Sequence, residues 1–191
     1  DIVKDRYARF SSLGVRDGLS ENKVLDIIQD KNGFIWIATT NGLNRYDGYH
    51  IVNYMHNPSD STSISNNYIQ TLAIDNDGIF WIGTKNGLNT FDYETETFRI
   101  WESSHTQNYK VSDPYIRKIL PDENNILWLE TVDGILNKID TKSGEILYYP
   151  HHPVLQEYYS YHCLFKDSDG DLWVGNRGKG PYLFNPEKEK S

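Results

Sequence analysis

Four tryptophans recur along the chain at nearly constant spacing, and this regularity limits the possible folds more than any other feature. The stretch Gly33–Asp47, GFIWIATTNGLNRYD, returns as GIFWIGTKNGLNTFD, NILWLETVDGILNKID and GDLWVGNRGKGPYLFN. Successive tryptophans, at positions 36, 81, 128 and 173, lie 45, 47 and 45 residues apart, and an aspartate precedes each by six residues. A fixed period of about 40–50 residues indicates a repeat architecture, built from propeller blades or from helical units.

The pattern inside the repeat favours strands over helices. Phe34, Trp36 and Ala38 would lie on one face of an extended segment, and Ile35 and Ile37 on the other. Both faces are apolar, which is typical of a strand covered on both sides. Small antiparallel sheets arranged radially bury both of their faces, so the sequence predicts an all-β propeller.

Two kinds of turn punctuate the repeat. An Asn-Gly or Asp-Gly pair ends the tryptophan strand in the first three repeats, at positions 41–42, 86–87 and 133–134. We expect both residues of each pair to adopt positive φ in a two-residue hairpin turn. An Asp-x-x-Gly turn precedes the same strand and resembles the start of a calcium loop, but the later oxygen ligands are missing. We therefore expect the aspartate to cap a tight turn in which glycine is left-handed.

The unit (V/I)xx(I/L)xxDxxGxxWIxTxxGLNxxD resembles the two-component regulator propeller repeat, closely in the first two repeats and less so in the last two. The opening Phe10–Asp30, FSSLGVRDGLSENKVLDIIQD, is similar to the start of the extracytoplasmic sensor region of hybrid two-component systems. The resemblance implies a non-catalytic, periplasmic sensor segment whose membrane-linked and kinase domains lie elsewhere. It also implies an oligosaccharide signal from the breakdown of complex carbohydrates.

The repeats divide residues 1–191 into four predicted blades of one partial propeller domain. Their approximate bounds are 22–55, 67–102, 114–149 and 159–185. The first three read as four-stranded antiparallel sheets, and the fourth has only three strands before a charged tail. The segment Tyr7–Leu13 is a further strand candidate that belongs to no complete blade. Because the resemblance implies a ring of about seven blades, we interpret the chain as a fragment of a larger propeller.

An incomplete propeller would expose an apolar blade face and an unpaired strand edge, so association is expected. The strand Tyr7–Leu13 could complete the fourth blade of its own chain, giving a small four-bladed ring, or the fourth blade of a second chain. Blades from a large ring are wedged at a shallower angle than four-blade closure requires, and close packing tolerates little adjustment. We therefore expect a homodimer.

Composition excludes several other classes of site. The formal net charge of −8 argues against nucleic acid as a partner, and no apolar run is long enough to predict a membrane span. Cys163 is the only cysteine and lies in an apolar strand pattern, so we expect it to be buried. His151 and His152 have no further ligand at metal spacing, and we expect a solvated loop. No metal or cofactor is predicted.

The repeat tryptophans are expected to be core residues between blades, and ligand-binding candidates come instead from the loops. In a propeller the loops between blades and the turns between second and third strands lie on one face. The candidates on that face are Asn41, Lys85, Asn86, Asp133, Tyr158, Tyr159 and Arg177. Planar amides, charges and tyrosines suit a sugar or a peptide surface.

Two alternatives to a carbohydrate sensor stay open from the sequence. A purely structural or protein-interaction propeller would need no ligand site. A propeller lyase or glycosidase is less favoured, because neither a nucleophile–base arrangement nor a catalytic carboxylate pair is apparent.

Overall fold

A computed structural model describes residues 11–101, 111–150, 161–176 and 180–185. It has four antiparallel sheets, one from each repeat, arranged as a four-blade propeller in chain order. Each sheet is a simple meander in which consecutive strands are neighbours. The predicted all-β propeller is therefore confirmed, with three four-stranded blades and a three-stranded fourth.

The strands follow the repeat period. The first blade comprises β1 (Val24–Gln29), β2 (Ile35–Thr39), β3 (Gly42–Tyr46) and β4 (Ile51–Tyr54). The second comprises β5 (Ile69–Ile74), β6 (Phe80–Thr84), β7 (Gly87–Asp92) and β8 (Thr97–Ile100). The third comprises β9 (Ile116–Pro121), β10 (Ile126–Thr131), β11 (Leu136–Asp140) and β12 (Ile146–Tyr149), and the fourth β13 (Tyr161–Lys166), β14 (Leu172–Asn176) and β15 (Gly180–Phe184).

Helical structure within the described residues is limited to one 3-10 turn, Val15–Asp17. No helix in that part of the chain has the length and apolarity needed to cross a bilayer. Most of the predicted orphan strand Tyr7–Leu13 lies outside the described residues, and its last three residues, from Ser11 onward, belong to no strand.

Each blade has two different faces, and neighbouring blades pack unlike faces together. The tryptophan face carries the repeat tryptophan, and the aliphatic face is the opposite side of the same sheet. Trp36 of the first blade packs on Phe80 and Phe91 of the second, with ring centroids 4.8 and 4.9 Å apart. Trp81 and Trp128 lie in the equivalent clusters between blades two and three and between blades three and four. Three tryptophans are thus core residues, as predicted.

The fourth blade departs from that prediction. Trp173 is 38% exposed, and Cys163 on the same face is exposed rather than buried. The physical reason is the position of the sheet: no described strand packs on the tryptophan face of the last blade. The expectation of a buried Cys163 and of a fourth core tryptophan was wrong for this reason.

The Asp-x-x-Gly turns have the predicted geometry. In the second blade, Asp75 Oδ1 accepts hydrogen bonds from the backbone N–H groups of Asp77 and Ile79, at 3.0 and 2.9 Å. Gly78 has φ +81°, in the left-handed region. In the third blade Asn125 takes this role with φ +63°, because asparagine tolerates that backbone better than most residues.

The turns after the tryptophan strands differ from the prediction. Gly42 and Gly87 have φ +117° and +115°, but neither Asn41 nor Asn86 has positive φ. Thr39 pairs directly with Gly42, so the two central residues are Thr40 and Asn41, one position earlier than expected. The glycine closes the turn instead of occupying its centre. In the third blade, likewise, Gly134 alone of the Asp-Gly pair has positive φ, at +79°.

Candidate functional site: the turn face of the propeller

Backbone hydrogen bonds bring the β2–β3-type turns together with the segments that precede the inner strands. The N–H of Lys85 donates to the Tyr68 carbonyl at 3.2 Å, and the N–H of Val132 donates to the Tyr115 carbonyl at 3.0 Å. The turn also reaches the next blade, since the N–H of Gly87 donates to the Pro114 carbonyl at 2.8 Å. We call this surface, formed by residues 39–42, 67–68, 84–87, 114–115 and 131–135, the turn face.

A repeated network of small polar side chains holds the turn face in place. In the second blade, the hydroxyls of Ser65 and Thr84 lie 2.9 Å apart, and the Ser65 N–H donates to Asn89 Oδ1 at 3.1 Å. The same two contacts recur among Ser20, Thr39 and Asn44, and among Ser112, Thr131 and Asn137. The threonines and asparagines are buried, and buried polar networks with satisfied partners are rigid. The turns are therefore held in fixed positions, and so is the backbone that carries their exposed side chains.

The residues predicted from the sequence have different roles on this face. The side chains of Asn41 and Asn86 are exposed, while their backbone N–H groups donate to the threonine hydroxyls of their turns, at 3.1 and 2.9 Å. Asp133 is turned inward: its Oδ1 accepts from the Thr131 hydroxyl at 2.6 Å and from the Ile135 N–H at 3.0 Å. The carboxylate of Asp133 thus stabilises its own turn. Tyr158, Tyr159 and Arg177 lie outside the described residues.

Lys85 belongs to an aromatic cluster between the second and third blades. Its ammonium lies 4.0 Å from the centre of the Tyr68 ring and 5.5 Å from that of Tyr115, within cation–π range. The two rings meet edge to face with centroids 6.0 Å apart. Tyr115 and Gln70 form a hydrogen bond of 3.0 Å from the phenol to Oε1. Burial, followed by the neighbouring Tyr68, raises the pKa of Tyr115 to about 12, so it remains a neutral donor at physiological pH.

Sequence reasoning missed the two tyrosines of this cluster. A signal existed: Tyr68 in NNYIQ and Tyr115 in DPYIR each precede the first isoleucine of an inner strand and are 47 residues apart. That separation equals the spacing of the second and third tryptophans, which places the tyrosines at equivalent positions of neighbouring blades. The cluster combines one cation, two half-buried rings and an amide at a junction between blades.

The opposite face of the propeller is acidic. Shallow clefts there are lined by the turns of Asp75, Asp122 and Asp167. Lys166 of the fourth blade binds the Asp122 carboxylate of the third. Burial raises the pKa of Asp122, but hydrogen bonds from Lys166, the Glu123 N–H and Trp128 outweigh it and hold the pKa below the usual value. Within the described ranges, no three acidic, histidine or cysteine side chains are grouped to hold a metal ion.

Comparison with known sequences agrees with the repeat geometry. The family model described as "Two component regulator propeller" matches residues 18–41, 63–86 and 155–178. Three stretches of the chain thus match the repeat of two-component regulator propellers. The first two matches run from the segment preceding the inner strand to the turn after the tryptophan strand, so each includes a Ser-Thr pair of the buried network. A histidine kinase named P4 from Formosa agariphila is 52% identical over 56 residues, which is 29% of this chain and 4% of that protein.

Solved structures share the propeller fold at low sequence identity. The extracellular domain of a putative hybrid two component system from B. thetaiotaomicron aligns with 94% of this chain and 31% of that one, at TM-score 0.60 and 23% identity. PorZ, a surface component of the type-IX secretion system of Porphyromonas gingivalis, aligns with 86% of this propeller at TM-score 0.65 and 18% identity. This chain thus spans about a quarter to a third of those structures and 4% of the kinase.

Proposed function

We propose that this propeller is part of the periplasmic sensor region of a hybrid two-component regulator and takes part in recognising an oligosaccharide signal. It acts without catalysis of its own, and the kinase activity belongs to other domains of the parent protein. The three matches to the family model support the regulator role, and the related structure from B. thetaiotaomicron, an extracellular domain, supports the location. The ligand class is supported by the chemistry of the turn face.

The single observation that carries the ligand proposal is the cluster of Lys85, Tyr68 and Tyr115. Aromatic rings offer apolar faces that suit the C–H surface of a sugar, and their hydroxyls supply hydrogen bonds. Gln70 is hydrogen-bonded to Tyr115, and the exposed Asn86 follows Lys85 in the same turn. Binding sites in general combine apolar surface with a few convergent polar groups. The rigid turns keep those groups in fixed positions without ligand, which lowers the entropy lost on binding.

The test is isothermal titration of the 191-residue chain with defined hexasaccharides: cellohexaose, xylohexaose, mannohexaose and a polygalacturonate hexamer. We expect at least one to bind, and we expect Tyr68→Ala and Asn86→Ala each to weaken that binding about tenfold or more. Lys31→Ala is the matched control, because Lys31 is exposed in a turn on the opposite face. No heat with any hexasaccharide at millimolar concentration would contradict the proposal. If Lys31→Ala weakened binding equally, the ligand would not be bound at the turn face.

A further inference from the structure

The two outermost blade faces of the described structure are exposed and apolar. On the tryptophan face of the fourth blade, Phe165, Trp173 and Leu183 are 61%, 38% and 54% exposed. The aliphatic face of the first blade is exposed in part: Ile27 is 57% exposed and Ile35 partly so, whereas Ile37 is buried. Contiguous exposed apolar surface of this kind marks a binding surface in soluble proteins.

These two faces are of opposite types, and the molecule shows three times how such faces fit. At each internal junction the tryptophan face of one blade covers the aliphatic face of the next. Strand pairing shows that the end faces have the same layout as the internal ones. On the tryptophan faces, Trp173 pairs with Phe165 in the fourth blade as Trp36 pairs with Ile28 in the first. On the aliphatic faces, Ile37 pairs with Ile27 in the first blade as Ile82 pairs with Leu72 in the second. The two exposed faces are therefore of the same two types as the faces that pack together at each internal junction.

The inner strands show which residues of the two end blades are equivalent. Asp26 of the first blade accepts hydrogen bonds from the Thr71 hydroxyl and the Leu72 N–H of the second blade, at 3.1 and 2.9 Å. Cys163 occupies the position of Asp26 in the fourth blade, because it pairs with Gly175 as Asp26 pairs with Ala38. Its thiol is exposed on the face that would receive a following blade.

We propose that the tryptophan face of the fourth blade docks on the aliphatic face of the first blade of a second copy of this chain. Because the two faces are complementary but not identical, the contact is head to tail, and two copies related by a two-fold axis make it twice and close. The occupant is a second copy because this chain supplies both halves of the interface. Among the described strands, β13 and β1 make no contact as extensive as those between consecutive inner strands, so the described part of the chain leaves the two faces unpaired with each other.

The first test is the mass in solution, measured by sedimentation velocity from about 1 to 100 µM. We expect a species of about 44 kDa, twice the 22.2 kDa of the chain. Leu183→Lys and Ile27→Lys should each shift it to the monomer, because each places a charge in one half of the interface. Leu147→Lys is the matched control: Leu147 is 41% exposed on the outer strand of the third blade, away from both faces, and should leave the mass unchanged.

Mixing the two variants distinguishes this arrangement from a face-to-face one. The Leu183→Lys chain keeps an intact first blade, and the Ile27→Lys chain keeps an intact fourth blade. An equimolar mixture should therefore recover a two-chain complex through one unmodified contact, although neither variant associates alone. A symmetric contact between two fourth blades would be broken by Leu183→Lys only, and that result would overturn the proposal. So would a chain that stays monomeric at 100 µM, or a complex that survives both substitutions.

Thiol labelling gives a second readout that does not depend on mass. Cys163 is the only cysteine, so a maleimide reports on this face alone. We expect its labelling rate to fall as the chain is concentrated from about 1 to 100 µM, and to stay constant in the Leu183→Lys variant. A rate independent of concentration in the unmodified chain would contradict docking on this face.

Discussion

The aspartate that precedes each repeat tryptophan serves two groups with one carboxylate. In the second blade, one oxygen of Asp75 binds the backbone of the turn, and the other accepts the indole N–H of Trp81 at 2.7 Å. The indole bond recurs in every blade, at Asp30–Trp36, Asp122–Trp128 and Asp167–Trp173. A buried indole N–H needs an acceptor, so the carboxylate joins the geometry of the turn to the rotamer of the core residue.

Removing this carboxylate should destabilise the propeller markedly. Asp75→Ala leaves the Trp81 indole N–H and two turn N–H groups without their acceptor, and we expect a loss of about 3 kcal/mol in the free energy of unfolding. Chemical denaturation followed by tryptophan fluorescence measures it. Asp77→Ala, two residues along the same turn and exposed, should cost less than about 1 kcal/mol. Equal losses in the two variants would show that the indole bond contributes little.

Acid should weaken the junction between the third and fourth blades through Asp122. Its pKa is lowered in the folded state, so its contribution to stability is full above the unfolded pKa of about 3.9 and is lost as pH falls through the folded value. We expect a melting temperature that is flat from about pH 7 to pH 5 and falls below about pH 4. Lys166→Met should make that acid fall less steep, while Lys31→Met should not. An unchanged acid profile in Lys166→Met would contradict the role of this ion pair.

Among single residues, those with a repeated chemical role were predictable and those with a local one were not. The aspartate turn and three core tryptophans follow from the period alone. The prediction that Cys163 is buried was wrong, because an apolar strand pattern indicates which face of the sheet a residue lies on but not whether another blade covers that face. Asp133 was predicted as a ligand-binding candidate, and its inward bonds to Thr131 and Ile135 depend on a turn geometry that the sequence does not display.

At the scale of elements, the close approach of the second and third blades depends on a small residue in the tryptophan strand of the second. A Cβ on Gly83 would lie 2.7 Å from Thr71 Cγ2 and 2.9 Å from Ile116 Cγ2, the latter in the next blade. Both distances are shorter than real Cβ contacts allow. In the first blade the equivalent residue is Ala38, which is fully buried.

Gly83→Ala should therefore strain the junction between the second and third blades. Overpacking of a filled core costs about 1–3 kcal/mol, and we expect a fall in the free energy of unfolding in that range. The matched substitution is Gly175→Ala in the fourth blade, where the new methyl group would meet only the thiol and backbone of Cys163 on an exposed face. Denaturation curves should show the smaller loss for Gly175→Ala. The reverse order would mean that the glycine serves a different purpose.

The strands of each blade were predictable because their apolar alternation is strong and the turns at both ends are marked. The turn after the tryptophan strand was placed one residue off, since a glycine at the end of a turn looks in sequence like a glycine at its centre. The hydroxyls of Thr39 and Thr84 fix the position of the turn, because they accept hydrogen bonds from the backbone N–H groups of Asn41 and Asn86. The tyrosine cluster beside Lys85 was missed because it joins two blades, and no single repeat contains it.

At the scale of the whole molecule, burial is uneven along the chain. The second and third blades are covered on both faces, whereas the fourth leaves one face exposed and the first leaves part of one face exposed. In a repeat protein, stability is approximately a sum of unit terms and junction terms between neighbours. The end blades each lack one junction, and the fourth also has one strand fewer among the described residues.

Hydrogen exchange should reflect this gradient. We expect the amides of β13–β15 to exchange faster than those of β5–β8, because opening the fourth blade breaks one junction and opening the second breaks two. Exchange followed by mass spectrometry on the Leu183→Lys chain avoids any protection by association. Uniform protection across the four blades would contradict a stability that is built up junction by junction.

The repeated use of one pair of unlike faces also bears on how such proteins change over generations. A duplicated or deleted repeat meets its new neighbours through surfaces that already fit, so a gene can gain or lose a blade without inventing an interface. The angle between neighbouring blades must adjust, and it is set at the inner edge of the propeller. There Lys118 Nζ of the third blade lies 3.9 Å from Asp26 Oδ2 of the first. Selection on blade number should therefore fall on those few inner-strand side chains, while the tryptophan junctions are inherited unchanged.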